Sequence, residues 1–145
     1  GKVDGMKDDA EGVRLANDAF YRAFRGRSFA VMEALWAKHT PVACIHPGMD
    51  VIRGLREVLE SWRAILAHEG SPQLVCDRVE VQLIGGIAYV TCLEGTAGEP
   101  PALIATNVYV RESGSWRLLL HQAGPLSRKN RLEPLPDPPD PKTWN

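Results

Sequence analysis

Helical and strand periodicities are segregated along this chain, and the segregation predicts an α+β fold. Three helices pack in the concave face of a curved, mostly antiparallel sheet, in the order α-α-β-α-β-β-β-β. Three observations support this. Apolar residues recur at spacings of three and four as far as Leu66. After Pro72 they recur at every second position. The last two strands are apolar on both faces, so that sheet needs a cover on both sides. The helices supply one cover, and a second copy of the chain is the expected other.

The elements follow in order. Asp8 with Glu11 three residues later has the form of a capping box, followed by the stripe Val13, Ala16, Phe20, Ala23 and Phe24, which stops near Gly26. Ser28 is placed to cap a second, shorter helix that buries Phe29, Met32, Leu35 and Trp36. Pro41 forces extension, and residues 42–46 read as a short strand ending at Pro47-Gly48. A third helix opens near Gly54, carries Leu55, Val58, Leu59, Trp62, Ile65 and Leu66, and ends at Gly70-Ser71-Pro72. Val75, Val79, Val81 and Leu83 then mark a half-exposed strand. Gly85-Gly86 turns it into residues 87–94, and Ser113-Gly114 joins strands 102–111 and 116–123. Residues 8–126 form the domain. Residues 127–145, rich in proline, form an extended tail that Trp144 is placed to pin.

Composition narrows the function. The chain has 145 residues, enough for one domain with a substantial core. Its 17 Lys and Arg balance 18 Asp and Glu, so no basic excess points to nucleic acid. No apolar run approaches the roughly 20 residues of a membrane span, and no charged-then-apolar leader is seen, so a cytoplasmic location without membrane partners is expected. The three cysteines, Cys44, Cys76 and Cys92, are widely spaced and suggest reduced thiols. The histidines lie on four different elements with no paired spacing, and no phosphate-binding glycine loop is present. Neither a metal nor a cofactor is expected.

Several segments, in this order, carry a resemblance: Ala19-Phe20-Tyr21, Leu35-Trp36-Ala37, Cys44-Ile45-His46-Pro47-Gly48, Ser61-Trp62, residues 105–111, and Trp116-Arg117 running to His121 and Pro125. Over about residues 10–125 the chain resembles the SnoaL-like group of the nuclear transport factor 2-like superfamily. That resemblance implies a cone with a pocket at its open end. The group spans ketosteroid isomerases, polyketide cyclases, dehydratases and subunits that only assemble complexes, so fold places the site without naming its chemistry.

Within that frame His46 falls where the isomerases carry a carboxylate base. Imidazole titrates near neutrality, so it suits proton transfer; ligand contact and a purely structural clasp of the following loop stay open beside it. Asn107 falls where they place a protonated aspartic acid, and its amide could donate to an oxyanion or simply bond a neighbour. Phe20 replaces their helix-one tyrosine. Phe20, Tyr21, Trp36, Trp62, Tyr109 and Gln122 are the expected ligand-binding groups, lining an apolar pocket with a few polar contacts. Strand alternation directs Gln122 inward and His121 outward, and leaves the face of Glu94 open. The expected function is binding of a small apolar organic ligand, with cyclase, isomerase or dehydratase chemistry using His46 as base. The rival is a non-catalytic interaction module. A homodimer through the convex sheet face, at Val108, Val110, Leu119 and His121, is expected with either.

Overall fold

The computed structural model describes residues 2–127 and 132–139; of residues 2–4 and 6 it describes the backbone only. Its elements are α1 (Lys2–Arg25), α2 (Phe29–Leu35), β1 (Ala43–Ile45), β2 (Ile52–Arg53), α3 (Leu55–Ala67), β3 (Val75–Ile84), β4 (Ile87–Gly95), β5 (Leu103–Glu112) and β6 (Ser115–Pro125). The α+β class is as expected, with three helices against one six-stranded sheet of order β2-β1-β6-β5-β4-β3. Among the described residues no helix is long and apolar enough to cross a membrane.

Two details depart from the sequence reading. α1 begins well before Asp8, so Asp8 and Glu11 lie within the helix rather than at its cap. Asp9 instead forms an ion pair with Arg111. The chain between β1 and α3 also returns on itself as the two-residue strand β2, with Cys44 opposite Ile52. A strand that short leaves no periodicity to detect. Ser28 does cap α2, its hydroxyl accepting from the Val31 N–H at 3.3 Å. Gly54 begins α3 at φ +89°, a backbone that a side chain would strain.

β3 to β6 form an antiparallel meander, and β1 joins it by parallel pairing with β6, Cys44 opposite His121. That pairing brings the end of β1 beside the middle of β6. The core lies between the concave face and the helices, where Phe20, Trp36, Trp62, Met32 and Leu118 are fully buried. Phe20 and Phe24 meet Trp62 edge to face at 5.4 and 5.2 Å.

Two bulges reset the strand faces. In β3 the register slips between Asp77 and Glu80, where Arg78 adopts φ +53°. In β6, Val108 faces Leu120 while Tyr109 faces Leu118, so Leu119 is an extra residue. The phase shift turns His121 into the core, 2% exposed, and leaves Gln122 exposed on the outer face. Simple alternation gives the reverse. The tail docks through Leu135, which bridges to Ala97 and is buried; Trp144 lies outside the described residues.

Candidate functional site

The amphipathic stripe of α1 is interrupted by polar groups at Asn17 and Tyr21, one turn apart on the inward face. Both are fully buried, so each needs a partner. They meet Asn107 and Tyr109, which share the inward face of β5, and Cys92 and Glu94, which share that of β4.

The hydrogen bonds run in one direction. The Tyr109 hydroxyl donates to Asn17 Oδ1 at 2.9 Å. Asn107 Nδ2 donates to the same oxygen at 2.9 Å and to Tyr21 Oη at 3.2 Å. Tyr21 in turn donates to Glu94 Oε2 in a very short bond, with Cys92 Sγ 3.3 Å from the same hydroxyl. Asn107 Oδ1 lies 2.6 Å from His121 Nδ1. An amide oxygen only accepts, so Nδ1 carries the proton and Nε2 of the neutral ring holds the lone pair. Both N–H donors of Asn107 are engaged within this network, and its role there is to order His121 and Tyr21. Asn17 Nδ2 is the one member without a hydrogen-bond partner.

A second imidazole stands at the end of β1. His46 follows β1 and is 7% exposed. Its Nε2 lies 3.0 Å from Ser61 Oγ, and the Ser61 hydroxyl donates to the Val58 carbonyl at 2.6 Å. The single serine proton is used there, so Ser61 accepts from His46 Nε2–H and Nδ1 is the basic nitrogen. Trp62 separates the two histidines, its ring 5.0 Å from His46 and 5.8 Å from His121. Phe20 covers His121 at 4.8 Å.

Burial governs the protonation states. It lowers His46 and drives His121 down to about 3, helped by the proximity of His46, so both rings are neutral at pH 7. Burial raises Glu94 to about 7, partly opposed by its bond from Tyr21. Tyr21 and Tyr109 are pushed upward, mainly by burial, and remain phenols. Burial pushes the Cys44 thiol up to about 12, so it is no nucleophile. Among the described residues no group of three His, Cys, Asp or Glu side chains is arranged to hold a metal.

The structure thus brings together His46, Asn107, Phe20, Tyr21, Trp62 and Tyr109. Trp36 is buried at the exit of α2, bridging to Leu118, and Gln122 lies on the other face of the sheet. Asn17 and the inward orientation of His121 escaped the sequence reading, which named Ser61 only within the resemblance and left the face of Glu94 open. A polar residue on the apolar stripe of α1 was the available signal for Asn17.

With this geometry in place, comparison with known proteins is informative. Residues 13–126 match the SnoaL-like domain family. The chain belongs to that family. A candidate dehydratase of the NTF2-like family from Streptomyces avermitilis is 36% identical; the match covers 83% of this chain and 98% of that one at a TM-score of 0.74. A candidate calcium/calmodulin-dependent protein kinase type II association domain from Thiobacillus denitrificans is also 36% identical, covering 79% and 94% at a TM-score of 0.65. The F-box protein SKIP8 of Arabidopsis thaliana is 25% identical over 124 residues, 83% of this chain and 54% of that protein. The chain therefore spans about half the length of that curated relative. One fold thus stands among relatives named for catalysis and for assembly, so the chemistry of this SnoaL-like domain has to be argued from its own side chains.

Proposed function

We propose that this domain binds a small, largely apolar organic molecule in its cone and performs acid–base chemistry on it, of the dehydration or isomerisation kind. The observation that carries the reading is the pair of neutral imidazoles flanking Trp62, each with its tautomer set by a neighbour. His46 Nδ1 is the proton acceptor, a role worth about 10²–10⁴-fold in rate for a positioned base. His121, its ring oriented by Asn107, stays neutral behind Trp62 and takes no proton near neutral pH. Phe20, Trp36 and Trp62 supply apolar wall, with Tyr21 and Tyr109 holding the polar network behind it. The candidate dehydratase from S. avermitilis supports this class of reaction.

The test is a panel of β-hydroxy and α,β-unsaturated cyclic ketones, screened by thermal shift and then for turnover. A binder that stabilises the wild type, and whose turnover is lost in His46→Ala, supports the reading. Binders whose conversion is indifferent to His46 refute the assigned base.

A second reading is a non-catalytic dimeric module, and the tight filling of the cone by Phe20, Trp36 and Trp62 favours it. Its working surface is the outer sheet face, where Tyr89, Val108 and Leu120 lie side by side across three strands and Ile104 is 47% exposed. We propose a homodimer through this face under either reading, with His121 removed from the contact and Leu120 in place of Leu119.

A further inference from the structure

A cavity of about 300 Å³ lies between α1, the bulged start of β3 and the tail. Tyr21 forms part of its floor, Cys76 and Val79 one wall, and the segment Pro136–Pro139 the wall opposite. Among the described residues this segment bounds the cavity on that side, and its four residues are themselves exposed. Among the described residues of the tail, Leu135 is the buried anchor. Leu135 is 3% exposed although its neighbours in the tail are not buried. Its N–H donates to the Glu99 carbonyl at 2.8 Å, and its carbonyl accepts from the Gly98 N–H at 2.9 Å. Its side chain occupies a notch left by Gly95: a Cβ there would stand 2.8 Å from Leu135 Cδ1.

We infer that residues 134–139 are a strap, latched by Leu135 against Gly95, that closes the cavity over Tyr21 and so covers the outer end of the Tyr21–Glu94 pair. The physical case rests on the contrast between one buried apolar anchor and a proline-rich span whose described residues 136–139 are exposed. Prolines keep that span extended, so release of the anchor moves the whole wall. The anchor is a single leucine and two backbone bonds, a small enough cohesion for local opening without unfolding of the sheet. The inference is independent of any chemistry in the cone.

Cys76 reports on the strap. It lines the cavity and is half-buried, whereas Cys44 is buried in the core away from it and serves as the internal control; Cys92, buried beside Cys76, is followed with it. The experiment is the rate of N-ethylmaleimide labelling of each cysteine in the full chain, read by peptide mass spectrometry. Leu135→Ser is expected to speed labelling of Cys76 at least tenfold while Cys44 keeps its wild-type rate. Leu135→Met, which refills the notch, should retain the slow rate. The inference is overturned if Leu135→Ser labels Cys76 at the wild-type rate, or if all three cysteines accelerate together.

Discussion

Glu94 offers a measurement whose sign and size both follow from its surroundings. Its carboxyl is 1% exposed, and the bond from Tyr21 does not fully offset its burial, so it titrates near 7 in the folded chain against 4.5 when unfolded. A folded pKa raised above the unfolded one stabilises the native state fully below pH 4.5. That contribution is lost as pH rises toward 7, because the unfolded chain releases the proton first. The interval corresponds to roughly 3 kcal/mol, a large share of an ordinary domain's stability. Glu94→Gln keeps an acceptor for the Tyr21 hydroxyl and removes the titration. Urea unfolding from pH 4.5 to 8 should therefore show the variant gaining on the wild type as pH rises. By pH 8 the gain over the offset at pH 4.5 reaches roughly 3 kcal/mol, a midpoint change on the order of 1–2 M. Parallel curves for the two proteins would refute the argument.

Other predictions follow from the same network. His121 behaves in the opposite sense, since its folded pKa lies near 3 against an ordinary 6.5. It stabilises the fold above pH 6.5 and loses that contribution as pH falls toward 3, so His121→Gln should flatten the acid limb of the urea-midpoint profile. At pH 7, His121→Leu should cost about 1–3 kcal/mol in denaturant unfolding, because Asn107 Oδ1 loses its donor. His46→Ala should abolish turnover of any substrate found, about 10²-fold or more, with a melting temperature within a few degrees of wild type. A drop of many degrees would make His46 a clasp for the Pro47-Gly48 loop instead. Sedimentation at micromolar concentration should give a dimer, and Val108→Asp should give a folded monomer.

Much of the fold was legible because it rests on local periodicity. The stripe of α1, the Ser28 cap, and the hairpins at Gly85-Gly86 and Ser113-Gly114 all stand in the sequence and in the structure. What could not be read lies in non-local pairing. The strand β2 is too short to have a period, and the parallel docking of β1 on β6 joins residues more than seventy positions apart. The bulge at Leu119 follows from how two strands mate, and it exchanged the faces of His121 and Gln122. The site was half legible for the same reason. His46, Asn107, Tyr21 and Tyr109 stood out by type and place. Asn17 gains its meaning only from Asn107, 90 residues later, and Glu94 only from Tyr21, 73 residues earlier.

The central claim of the proposed function is that a small organic molecule binds against His46, with Trp62 and His121 packed behind it. The direct measurement is the imidazole NMR spectrum of His46 and His121, with the Trp62 indole, titrated with the ketones that bind. The account predicts Nε2–H on His46 and Nδ1–H on His121 in the free protein, and saturable shifts at all three side chains on binding. Opposite tautomers, or binders that leave all three resonances unmoved, would contradict it.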